Sequence, residues 1–259
     1  MLTSVNRIRL FSKRTFTSAA ASIPIVEIRQ DKLYPHLIGP YVTHCKSTPL
    51  RFADPHLRLH CLTDTGGVLN QTMEIYAYPG GMGEREEKIL KGSWLRTFQR
   101  KDCVMEQTSN IFAEAPLVRS TKGVRGLLEG NPLEEDNKGP LSAIYEIRTY
   151  NLKLGYDTVP KFFSLYGAGL PSKLSAVGTD PTTSLVTLLY TEVGQLNQVI
   201  EVWRHGDGAN AMEKSRVAAR SAPEWRNAIQ EIAQLALKFS STIYRPLVPF
   251  SSSQSSVTK

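Results

Sequence analysis

Apolar and polar residues alternate over Ala143–Leu152, AIYEIRTYNL, a stretch rich in β-branched and aromatic side chains, and the alternation predicts a strand. After Gly155, apolar residues fall at Tyr156, Val159, Phe163, Tyr166 and Leu170, the spacing of one helix face. Ser184–Val193, SLVTLLYTEV, predicts a second strand. Gly194-Gln195 is a tight turn signal, and LNQVIEVWRH, Leu196–His205, returns as the third strand of a hairpin. Residues 209–220 predict a helix. Ser221-Ala-Pro-Glu224 then has the form of a capping box, with Pro223 tolerated in the first helical turn. Trp225, Ile229, Ile232, Ala236 and Phe239 predict one apolar stripe along the next helix. STIYRPLVPF, Ser241–Phe250, closes the pattern as a strand whose prolines suit a sheet edge.

The first half of the chain repeats this order. Ile25–Arg29, IVEIR, parallels Ile144–Arg148, and LNQTMEIYAY, Leu69–Tyr78, parallels Leu196–His205. Between them, His56–Asp64 parallels the second strand and Gly66-Gly67 the hairpin turn. Residues 83–101, with Trp94, parallel the Trp225 helix, and Ser109–Val118 parallels the closing strand. Pro35, Pro40 and Pro49 interrupt the first helix of this copy. Each copy reads β-α-β-β-α-β, the split βαβ order of ferredoxin-like domains, which places both helices on one face of a four-stranded antiparallel sheet. The other face needs a cover. Two such units solve this for each other, so the expected fold class is α+β: two ferredoxin-like units whose antiparallel sheets pack as an intramolecular dimeric α/β barrel. Pairing with another chain, as a homodimer or higher assembly, is the alternative use of the same faces.

The segments expected are a leader over 1–23, a first unit over 24–118, a polar linker over 119–140, a second unit over 141–250 and a tail over 251–259. The leader holds Arg7, Arg9, Lys13 and Arg14 without an acid and is rich in serine. That composition predicts a mitochondrial transit peptide, cleaved between Arg14 and Pro24. The whole chain carries +7, so residues 24–259 carry only +3, with no basic stripe interleaved with aromatics, and nucleic acid is not expected as a partner. No apolar run reaches the length of a membrane-spanning helix. Cys45, Cys61 and Cys103 are odd in number and show no CxxC spacing, which argues for reduced thiols and against a zinc knuckle.

Four quoted stretches resemble the NIPSNAP family. IYEIRTYNLKLGY (144–156) is similar to that family's Tyr-Glu-Leu-Arg-Thr-Tyr strand and following turn, with Leu154 where Pro is common. GQLNQVIEVWRH (194–205) is similar to its Gly-x-Leu-Asn strand. SRVAARSAPEWRNAI (215–229) is similar to its arginine-bearing helix followed by a tryptophan helix, and PLVPFSSSQ (246–254) to its Ser/Pro-rich end. The resemblance implies the dimeric α/β-barrel fold and a mitochondrial, matrix location. It also implies roles in protein interaction, in mitochondrial quality control with autophagy receptors as partners or in vesicular transport. It implies no agreed catalytic residues, so an enzyme is not the leading expectation.

The charged strand residues are the candidate site. Side chains two apart on a strand share a face, so Glu146 with Arg148, and Glu201 with Trp203, form a cross-strand cluster, and Glu27, Arg29, Glu74 and Tyr76 form its counterpart. Both clusters are expected to line the barrel, either as structural ion pairs or as the polar floor of a small-ligand site. His205, at the end of the third strand, is read mainly as a loop histidine, with acid–base work or haem ligation as the alternatives. Arg216 and Arg220, one helical turn apart, are read as a solvated face or as a site for an anion or acidic partner. His56 and His60 are four apart on a strand, about 13 Å, too far to share one metal ion, and no metal site is expected. No cofactor is expected either. The alternative function is a small-molecule- or haem-binding α/β-barrel enzyme of monooxygenase type, an analogy of fold alone.

Overall fold

The computed structural model describes residues 22–47, 54–91, 102–132 and 143–247. The predicted leader before residue 22, Pro49, Trp94, residues 133–140 of the linker and the tail lie outside the described residues.

The strands are β1 (Ile25–Leu33), β2 (Leu57–Thr65), β3 (Gln71–Tyr78), β4 (Val104–Glu114), β5 (Ile144–Leu152), β6 (Thr183–Val193), β7 (Gln198–His205) and β8 (Ala236–Pro246). The helices are α1 (Ile38–Ser47), α2 (Gly81–Leu90), α3 (Pro116–Ser120), α4 (Gly126–Glu129), α5 (Thr158–Leu174), α6 (Gly208–Ser221) and α7 (Pro223–Leu235). The strands close into one barrel in the order β1-β3-β2-β8-β5-β7-β6-β4. Each unit contributes the ferredoxin-like order, β4-β1-β3-β2 and β8-β5-β7-β6. Two antiparallel seams join them, β2 to β8 with Thr63 opposite Tyr244, and β4 to β6 with Ala113 opposite Tyr190. Closure removes all four sheet edges, the hazard of open sheets.

The duplicated Leu-Asn-Gln has a structural reason. In both copies the strand begins at the Gln, and the Asn sits in the hairpin turn beside the end of the unit's first strand. Asn70 N–H donates through its side chain to the Leu33 carbonyl, and Asn197 Nδ2 donates to the Lys153 carbonyl at 2.7 Å. The backbone answers in both copies, the Leu33 amide reaching the Asn70 carbonyl at 2.7 Å and the Leu152 amide reaching that of Asn197 at 2.8 Å. One asparagine thus ties the hairpin to the strand beside it, twice.

Side chains such as Val26, Ile28, Met73, Ile75, Ile147 and Val202 form one buried cluster that spans both units and fills the lumen, as eight strands allow. The expected polar linker contributes to it. Leu127, on α4, is fully buried among these residues; its amide donates to Glu114 Oε1 at 2.7 Å and its carbonyl accepts from Arg58 Nε at 2.8 Å. Gly126 permits this approach, since it holds φ +73° and a Cβ there would lie 2.6 Å from the Glu114 carboxylate.

Other expectations shift. Pro35 opens a 3₁₀ turn and Pro40 falls in the first turn of α1, where the missing N–H is not needed, so this helix forms despite both prolines. Ser221 does not cap α7: Ala222 holds the N-cap position, the Ser221 hydroxyl donates to the Ala218 carbonyl, and Glu224 accepts from Ser172 Oγ. The stripe from Trp225 ends at Leu235. Ala236 and Phe239 belong to β8, where Leu152 and Tyr150 of β5 are their partners, because cross-strand pairing outweighs a helical continuation. Tyr156 precedes α5 and is exposed; the buried face of that helix is Phe162, Tyr166, Gly169, Leu170 and Lys173. Gly169 is where α5 meets α7, and a Cβ there would lie 2.6 Å from that of Ala228.

Candidate charge cluster and groove of the second unit

The register brings the candidate residues together as their strand positions require. Arg148 lies opposite Glu201 and Glu146 opposite Trp203; in the first unit Arg29 lies opposite Glu74 and Glu27 opposite Tyr76. Their direction differs from the expectation. They do not line the barrel: they point outward, between the strands and the helices that cover them. Alternation fixes this, because Ile147 and Val202 fill the lumen and their neighbours must face away. The physical reason is supply of partners. A filled lumen offers apolar side chains, whereas the covering helices carry long cations.

In the second unit Glu146 is buried and collects those cations. Arg148 approaches it with Nε at 2.7 Å and Nη2 at 3.2 Å, and Arg216 of α6 with Nη2 at 2.6 Å. The Ser241 hydroxyl donates at 2.7 Å, and His205 Nε2 stands 3.4 Å from the other oxygen. Burial pushes the Glu146 carboxyl up, but His205, Arg148 and Arg216 outweigh it and hold the group far below the carboxylate range. Glu201 is the second hub. It accepts from the Tyr150 hydroxyl at 2.5 Å and from Trp203 Nε1 at 2.6 Å, and Lys173 Nζ lies 3.8 Å away. Lys173, on α5, sits between two indoles, 3.6 Å from the Trp203 ring centre and 4.3 Å from that of Trp225. Burial pushes its amine down to about 7, against the pull of Glu201.

The first unit repeats the hub without the same surroundings. Glu27 accepts from Arg29 Nε at 2.9 Å, Arg85 at 2.9 Å and Ser109 at 2.6 Å. Its Glu74 accepts from the Tyr76 hydroxyl at 2.8 Å, and Lys88 of α2 lies over the Tyr76 and Tyr78 rings. Burial raises the Glu27 carboxyl, but these donors bring it to about 2. A depressed carboxyl stabilises the fold above its unfolded value and loses that contribution as pH falls toward the folded value. From 4.5 down to about 2, Glu27 should therefore surrender about 3 kcal/mol. Urea unfolding between pH 5 and 2.5 should show that loss, and the Glu27→Gln variant should lack this share of the slope; a wild-type stability flat across the window would contradict it.

His205 is not a loop histidine. It is the last residue of β7, is buried, and its Nδ1 pairs with Thr183 Oγ1 at 2.9 Å. Arg216 and Arg220 are not one solvated face either, for Arg216 joins the Glu146 hub while Arg220 remains exposed. His56 and His60 take separate partners, Glu84 at 3.0 Å and Tyr41 at 3.2 Å. Trp225 is core, edge-on to Tyr166.

Two spaces adjoin the second hub. One is a cavity of about 40 Å³ walled by residues that include Arg148, Lys173, Thr179, Trp203 and His205. The other is an open groove of about 580 Å³ with Trp225, Ile229 and Phe239 as its apolar floor and Arg216, Arg220 and Arg226 at its sides. Glu146, Arg148, Arg216 and Ala219 wall both. Sequence reasoning missed Lys173, Thr179 and Arg226. Lys173 did carry a signal: it lies three residues beyond Leu170, a cation on the buried stripe of α5.

Residues 145–252 match the NIPSNAP family model. The second unit is a NIPSNAP domain. No curated protein matches the chain. Among solved structures, a provisionally named monooxygenase from Lactobacillus acidophilus is similar to this protein over 88% of this chain and 95% of its own, at 10% identity and a TM-score of 0.56. Another, from Fusobacterium nucleatum, covers 87% and 93% at 10% identity and a TM-score of 0.57. A NIPSNAP family protein of unknown function from Agrobacterium tumefaciens is 24% identical over 42% of this chain and 92% of its own, at a TM-score of 0.36. The two chain-wide likenesses share the fold.

Proposed function

We propose that this NIPSNAP protein works in mitochondria, in the matrix, by binding protein partners, and that the groove of its second unit docks an acidic segment with an apolar anchor. The groove carries this reading. Arg216, Arg220 and Arg226 stand around a floor of Trp225, Ile229 and Phe239, and Arg220 and Arg226 are exposed. Arginine beside aromatic surface is the composition of interaction hot spots, and the single acid in the wall, Glu146, is already neutralised by its own partners. Family membership supports roles in mitochondrial quality control, with autophagy receptors as partners, or in vesicular transport. The acid-free leader supports the location. Among the described residues no helix is long and apolar enough to cross a membrane.

Proximity labelling from the full chain, in intact and in depolarised mitochondria, tests this with Arg220→Glu/Arg226→Glu beside the wild type. Both side chains are exposed, so the variant should fold normally. The wild type should enrich a defined set of proteins and the variant should lose most of that enrichment, roughly tenfold, as reversal of two rim charges implies. An identical set for both proteins would overturn the groove assignment. Import accompanied by loss of residues 1 to about 23 checks the location.

A further inference from the structure

Nine buried side-chain atoms among the described residues make no hydrogen bond, and four of them, Lys173 Nζ, Thr179 Oγ1, His205 Nε2 and Arg216 Nε, belong to residues that wall the one cavity of about 40 Å³. Lys173 Nζ and His205 Nε2 keep only the longer ion-pair contacts to Glu201 and Glu146, and a buried donor without a hydrogen bond costs about 1–3 kcal/mol, so the convergence of the four marks a place suited to a polar guest. The space has the size of a few water molecules, enough for a carbonyl and a carboxylate. We propose that Lys173 is a reactive amine and that this cavity binds a small carbonyl compound bearing a carboxylate, a 2-oxo acid or aldehyde acid, which it captures as an imine. The inference is independent of partner docking in the groove.

The geometry assigns the parts. Lys173 reaches the cavity wall from α5, its Nζ held 3.6 Å from the Trp203 ring centre and 4.3 Å from that of Trp225, so the two indoles fix the nitrogen beside the cavity. Arg216 Nε and Thr179 Oγ1 are donors suited to the carboxylate, and Arg148 adds positive charge to the wall. The Nζ lone pair attacks the carbonyl carbon, the C–N bond forms and the carbonyl π pair moves to oxygen. Loss of that oxygen as water, with two hydrogens from the amine, leaves the C=N bond. Glu201 Oε2, 3.8 Å from Nζ, is the negative charge that faces the ammonium form, and the proton that form releases leaves to water. The groups that set the amine's charge are Glu201 on β7, Arg148 and Glu146 on β5 and Arg216 on α6, all acting on a desolvated nitrogen. The balance leaves the amine neutral, hence nucleophilic, in a large fraction of molecules near pH 7, where exposed lysines are protonated.

The test is reductive trapping. The full chain is incubated with glyoxylate and sodium cyanoborohydride, and carboxymethyl-lysine is located by peptide mapping. Lys173 should be modified at least tenfold faster than an exposed lysine such as Lys214, with a rate that rises through about pH 7 and then levels off. Lys173→Met should abolish only that adduct. Mapping on the wild type stands whether or not the variant folds. Modification of Lys173 no faster than of surface lysines, or a rate that climbs in parallel with theirs toward pH 10, would overturn the proposal.

Discussion

Replacing Glu146 by alanine should destabilise the protein by about 3 kcal/mol, because it leaves the mostly buried Arg148 and the half-buried Arg216 without their acceptor. Thermal denaturation should register a fall of roughly 10 °C for a chain of this size. The Ser241 hydroxyl and His205 lose the same acceptor, which adds to the loss. The triple variant Glu146→Met/Arg148→Met/Arg216→Met should recover at least half of the fall, since a buried ion cluster exchanged for packed apolar side chains is often neutral. A Glu146→Ala protein that melted within 1–2 °C of the wild type would mean that water reaches the hub and screens it.

The second large effect is separation of the two units. A second unit on its own would uncover the lumen side chains Tyr145, Ile147, Leu189, Ile200 and Val202, all buried in the whole chain. It would also leave β8 without β2 and β6 without β4. Exposed strand edges and an uncovered apolar face both drive association. Two copies of the second unit can regenerate the barrel by placing each β8 and β6 edge against a copy, as the first unit does in the intact chain.

The duplication was legible because it rests on local chemistry. Glu-x-Arg on the first strand of each unit and Leu-Asn-Gln before the third survive in both copies, and the structure gives each a bond that explains it. The pairing of Arg148 with Glu201 was legible from strand order and period alone. Which way those residues face was not. On β1 and β5 both faces are largely buried, one by the opposite unit and one by helices, so alternation separates two sets of side chains without saying which set is the lumen. The deciding partners, Arg85, Lys173 and Arg216, stand on helices distant in sequence. The buried role of Leu127 was hidden for a similar reason, since a four-residue helix within a polar stretch has no period to read.

One chain builds a closed barrel from two units, neither of which is complete alone. Sedimentation equilibrium on residues 141–250 tests it most directly. The fragment should be a dimer or larger species at every concentration at which it is folded; a folded, stable monomer would show that one unit is complete alone.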